Sequence, residues 1–142
     1  MKMQPAGVGA GVCGVAVLRA ADAMLRALGG EEISMLLPLS AMPGDPAGQL
    51  GLADPGVEEV RISPVIVRYL PTENSGPRRR VEFLVPASGI ATALSAHDFA
   101  GAEQLIDATL GIAYEGELFH IEGFTSEYFG GVAYLYRVIG VE

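Results

Sequence analysis

Apolar and polar residues alternate most clearly in the last third of the chain. Leu110, Ile112 and Tyr114 stand between small or polar neighbours, a period of two that marks a half-buried β-strand. Glu115-Gly116 follows, and the glycine supplies the freedom a tight reversal needs, so Glu117-Leu-Phe-His-Ile-Glu122 should fold back antiparallel. A glycine-broken loop leads to Ala133-Tyr-Leu-Tyr-Arg-Val-Ile139, a third strand.

Near the start the period changes. Leu18, Ala21, Leu25 and Leu28 recur at intervals of three and four, so residues 15–28 should form a helix with one apolar stripe. Asp22 and Arg26 are four apart on another face and can pair there. Gly29-Gly30 ends the helix, and Ile33–Leu37 reads as a first strand limited by Pro38. Between 41 and 56 the chain has three prolines, four glycines and two Asp-Pro steps, a density that permits only a long loop. Strand character resumes over Val57–Leu70, where Ser63-Pro64 should bend or interrupt it. A polar excursion over 71–80 ends in Arg78-Arg79-Arg80 and is followed by the strand Val81–Val85. Residues 87–95 and 101–107 read as two short helical turns. The pattern predicts an α+β chain that is mainly β: a small antiparallel β-barrel or sandwich with an N-terminal helix and long loops. Residues 1–14 read as a flexible glycine-rich arm and 15–142 as a single domain.

Composition narrows the function classes. The 142 residues suffice for one core, and 19 glycines with 9 prolines account for the many predicted turns. A formal net charge of −8 opposes wrapping a nucleic-acid backbone, where affinity comes from cations that release counterions. Cys13 is the only cysteine, so neither an intrachain disulfide nor a four-cysteine zinc site can form. No run of eighteen apolar residues suggests a spanning helix. The segment Met1–Leu18 has a lysine before an apolar stretch, but glycines dilute that stretch, so it is expected not to act as a secretion signal.

The candidate chemistry is sparse. Gly9-Ala-Gly-Val-Cys-Gly14 spells a dinucleotide-binding pattern, yet no strand precedes it and no βαβ unit follows, so a flexible arm accounts for it better. His97-Asp98 and His120-x-Glu122 pair a base with an acid, but neither comes with an activated nucleophile. The chain is therefore expected not to be an enzyme, with no catalytic residue, no cofactor and no metal. Arg78, Arg79 and Arg80 form the one basic cluster, either a solvated loop end or a tip that meets an acidic partner. Tyr128-Phe129 beside Gly130-Gly131 reads as an exposed aromatic tip of the kind found at protein interfaces.

The order of these parts resembles the small head–tail joining proteins of long-tailed, lambda-like bacteriophages, the neck or stopper type. The likeness is carried by the helix Val15–Leu28 running into Ile33–Leu37, by Ser63–Arg68 or Glu82–Pro86 with the helix after it, and by Asp107–Phe124 with Tyr134–Val138. It covers about two-thirds of the chain, as a pattern of elements. The resemblance implies a virion structural protein at the head–tail interface, assembled in the bacterial host cytoplasm as a ring of identical copies. Its other partners would be neck or tail proteins: an adaptor or portal on one side, a tail terminator or tube on the other. No membrane is involved, and DNA is only a sliding neighbour that an acidic lumen would not hold. Candidate partner contacts are then Asp45, Gln49 and Asp54 in the long loop, Arg78, Arg79 and Arg80, and Tyr128 with Phe129. The longer arm, the interrupted central strands and an added turn near Phe99 leave stopper, adaptor and tail terminator all open. The alternative is a small β-barrel binding module or a subunit of another assembly.

Overall fold

The computed structural model describes residues 6–38, 56–71 and 78–142. Along the chain come α1 (Ala6–Ala27), β1 (Glu31–Pro38), β2 (Val57–Tyr69), β3 (Arg80–Pro86), α2 (Ala87–Ala96), α3 (Ala102–Ala108), β4 (Gly111–Tyr114), β5 (Glu117–Phe129) and β6 (Val132–Val141). The six strands close into an antiparallel barrel in the order β1-β2-β3-β6-β5-β4. Closure depends on the short β4, whose residues 111–113 pair with Leu36, Met35 and Ser34 of β1.

Alternation along the strands decides what fills the barrel. Ile33 and Met35, Ile62 and Val65, Val81, Phe83 and Val85, Ile112 and Tyr114, Phe119, and Tyr136 and Val138 all point into one core. Ile90 and Ala93 of α2 and Leu105 and Ile106 of α3 join that core, so the two helices inserted between β3 and β4 complete the packing. Helix α1 lies against β6, β2 and β3, with Ala21 and Leu25 buried. The α+β class, dominated by an antiparallel barrel with an N-terminal helix, is as the pattern predicts.

Several local expectations need correction. Helix α1 begins at Ala6, so residues 6–14 belong to the helix and only 1–5 of the expected arm lie outside the described residues. Glycine costs a helix roughly 1 kcal/mol per residue relative to alanine, but no proline interrupts the run from Ala6. Gly14 is buried against Val132 of β6, so this part of the helix is held to the barrel. Asp22 does not hold Arg26: it accepts a hydrogen bond of 2.8 Å from the Ser88 hydroxyl at the start of α2.

Strand β2 continues through Ser63-Pro64, whose peptide bond is cis. Pro64 falls where the register against β1 shifts, between the pairs Glu31↔Val65 and Ile33↔Ile62, so its missing N–H leaves no ladder position short of a donor. Just beyond, β2 exchanges β1 for β3 as its partner. Gly30 permits this arrangement, since a Cβ there would collide with the Pro64 ring. Leu28 and Leu110, both expected in the apolar stripes, are 65% and 50% exposed. Each lies just outside its element: Leu28 follows the last turn of α1, and Leu110 precedes β4 and donates its N–H to the Leu36 carbonyl.

The largest difference is at residues 123–129, expected as loop and found as strand. β5 runs on to Phe129, paired with β6 throughout, and reverses at Gly130-Gly131. Both glycines have positive φ, as do Glu115 and Gly116 in the β4–β5 turn, which suits the two-residue hairpins of twisted strands.

Candidate interaction surfaces

Because every neighbouring strand pair is antiparallel, the barrel has two distinct ends. One gathers Glu31, the β4–β5 turn, Arg79, Arg80 and Glu142. The other gathers Pro38 and Val57, the start of α2 and the β5–β6 tip. His120, level with Arg80 through their shared partner Val141, is nine positions from Phe129 along β5. At about 3.3 Å per residue the arginines and the aromatic tip are therefore roughly 30 Å apart.

At the first end the arginines are tied into the fold. Arg79 donates from Nε to Glu142 at 2.6 Å and from Nη2 to Glu117. Its guanidinium also stands over the Tyr69 ring, 5.8 Å from the centroid. The Glu142 and Glu117 hydrogen bonds raise the Arg79 pKa further, and Arg79 in turn holds the Glu142 carboxyl below its ordinary value. Arg80 donates to Glu122 at 2.7 Å. Arg78 is exposed and, among the described residues, has no such partner. Among the described residues the cluster is thus one unpaired cation beside two that tie this edge of β3 to β5 and to Glu142. Glu31 completes this end, accepting a hydrogen bond of 2.5 Å from the Tyr114 hydroxyl. Burial first, and then this bond to a carboxylate, push the Tyr114 pKa up.

The outer face of the barrel carries an ion-pair ladder that no local pattern in the sequence shows. Arg68 of β2 lies 3.1 Å from Glu82 of β3, Arg137 of β6 lies 3.8 Å from the other Glu82 oxygen, and Arg137 donates to Glu127 of β5 at 2.9 Å. The Glu82 side chain is only 10% exposed, yet its Oε1 makes no well-aligned hydrogen bond. Two flanking guanidinium groups compensate its charge instead. The alternation of Val81-Glu82-Phe83 places Glu82 outside the barrel, but only the fold brings in Arg68 and Arg137.

At the second end Tyr128 and Phe129 are 61% and 67% exposed, as expected of a tip. Phe129 also borders an apolar hollow of about 270 Å³ between α1 and the hairpin, lined by Val17, Ala20, Ala21, Met24 and Tyr134. Asp45, Gln49 and Asp54 lie outside the described residues; the chain leaves β1 and enters β2 at the paired residues Pro38 and Val57, at this same end.

Neither expected histidine–acid pairing forms. Glu122 is taken by Arg80, leaving His120 exposed. His97 points away from Asp98: its Nδ1 lies 2.7 Å from the Ala93 carbonyl oxygen and its Nε2 2.7 Å from Glu58 Oε2. A carbonyl can only accept, so Nδ1 donates, and a carboxylate at Nε2 favours a second donated proton. The Ala93 bond first, and the Glu58 carboxylate second, raise the His97 pKa above 6.5. A raised folded pKa stabilises the fold fully at pH below 6.5, and that contribution is lost as pH climbs through the folded value. Denaturant midpoints measured from pH 6 upward should therefore fall across that window, and His97→Gln should remove this part of the dependence.

Among the described residues no group of three or more His, Cys, Asp or Glu is placed to hold a metal ion, and no helix is long and apolar enough to cross a membrane. Compared with protein-family models, curated proteins and solved structures, the chain finds no match.

Proposed function

We propose that this chain is a non-enzymatic structural subunit that joins a phage head to its tail, working as one member of a ring of identical copies around the DNA channel. The observation that carries this reading is the two-ended subunit: a closed barrel with candidate contact groups of different chemistry roughly 30 Å apart along β5. A joining piece must meet one partner above and another below, and unlike ends give the stack a direction. The charged end, where Arg78 is exposed, suits an acidic neighbouring surface; the aromatic tip and adjoining hollow suit an apolar one. The acidic balance of the chain suits a lumen past which DNA slides.

Arg78 offers the cleanest test, because reversing Arg79 or Arg80 would also break intramolecular pairs. Arg78→Glu should leave the melting temperature within about 2 °C of wild type, as expected for an exposed residue that has no partner among the described residues. It should lower the yield of tailed particles in an in-vitro joining assay, and added salt should weaken wild-type joining likewise. Normal joining by the variant would remove the arginine end from the contact surface. The apolar hollow favours a second reading, a small barrel that binds a partner's apolar side chain. Flanking genes for portal, capsid and tail tube would support the first reading, and a metabolic operon the second.

A further inference from the structure

The aromatic end of the barrel has a second hollow beside the apolar one. It measures about 450 Å³ and lies between the start of α3 and the hairpin strands, with Gly101, Glu103, Gln104, Ser126, Tyr128 and Tyr136 in its lining. The two hollows share no residue, and Tyr128 and Phe129, adjacent on β5, divide between them. Tyr136 sets this one apart. Its ring belongs to the barrel core and the residue is only 7% exposed, yet among the described residues its hydroxyl has no hydrogen-bond partner. Burial first, then the nearness of Tyr128 and of Glu103, push its pKa up, so the hydroxyl keeps its proton beside a phenol and a carboxylate. A buried tyrosine ordinarily finds a partner for its O–H, and this one turns it to the hollow.

The charges around the hollow are of one sign. Asp98, Glu103 and Asp107 are exposed and, among the described residues, form no ion pair. No Lys, Arg or His among those residues lines the hollow. On β5 the carboxylates Glu117, Glu122 and Glu127 are each met by an arginine of this chain. Gln104 is committed as well, its side-chain oxygen accepting the Ala100 N–H at 2.5 Å, which holds the loop before α3 in place.

We infer that this hollow takes the guanidinium of an arginine presented by the protein that meets the aromatic end. A guanidinium is planar, stays charged and carries five N–H donors. It can lie on the Tyr128 ring, which is 61% exposed, and donate to the Glu103 carboxylate and the Tyr136 oxygen. An ammonium has the charge without the flat face, and a neutral amide has the flat face without the charge. Phe129 and the apolar hollow receive apolar groups of the same neighbour, so the aromatic tip keeps one partner. That this neighbour is a head or tail protein rests on the joining reading. The choice of arginine rests on Tyr136, Glu103 and Tyr128 alone.

The test uses the full chain, isotope-labelled for NMR, and the capped tripeptide acetyl-Gly-Arg-Gly-amide. Adding it should shift the amide resonances of Gly101–Gln104 and Ser126–Tyr128 to saturation. The citrulline tripeptide, of the same shape but uncharged, should leave them in place over the same concentrations, and the lysine tripeptide should bind more weakly. Tyr136→Phe and Glu103→Gln should each raise the dissociation constant about threefold or more. Both variants should melt within about 2 °C of wild type, because neither group is bonded to another described residue. Absence of saturable shifts, equal binding of the citrulline or lysine tripeptide, or wild-type affinity in either variant would overturn the inference. None of those results would touch the joining function, whose failure is read from particles and not from peptide binding.

Discussion

Phe83→Ala should cost about 3–5 kcal/mol of folding stability, the range for removing a buried phenylalanine from a packed core. Phe83 is fully buried at the centre of the barrel. Its ring meets Phe119 edge-on at 5.7 Å between centroids and Tyr114 at 6.4 Å, so truncation leaves a cavity and also breaks two aromatic contacts. Gly140 on β6 makes room for the pair, because a Cβ there would come within 2.9 Å of the Phe119 Cβ and 3.0 Å of the Phe83 ring. A guanidinium titration should show the midpoint falling with little change in slope. A loss below about 1 kcal/mol would mean that the barrel interior is not packed as described.

Leu25→Ala should cost about 2–5 kcal/mol, and Leu28→Ala less than about 0.5 kcal/mol. Both leucines lie on the stripe that the sequence predicts, yet Leu25 is wholly buried and Leu28 is 65% exposed. Leu25 packs where α1 meets β2, β3 and β6, and its carbonyl accepts the Gly30 N–H that closes the helix, at 2.9 Å. Equal losses at the two positions, by thermal or chemical unfolding, would contradict the docking of α1.

What could be read beforehand was local. The stripe of α1, the alternation in β1, β3 and β4, the reversal at Glu115-Gly116 and the two short helices all leave a signal within a few residues. The second half of β5 does not. Gly123, Thr125, Ser126 and Glu127 read as loop, and they are strand because β6 supplies a ladder partner for each. Arg79 and Arg80 read as a free tip because their carboxylates lie 38, 42 and 63 positions away. The hollow was hidden for the same reason, since Val17 and Met24 meet Phe129 and Tyr134 only after the barrel closes. Of the candidate contacts, the aromatic tip was legible from its glycines, whereas the division of the contacts between two ends required the topology.

The joining function is tested most directly by deleting the gene from a phage or prophage that carries it and examining the particles by electron microscopy. The expected result is DNA-filled heads and separate, finished tails, with joined particles restored when the wild-type protein is supplied in trans. Normal tailed particles from the deletion strain would contradict the proposed function.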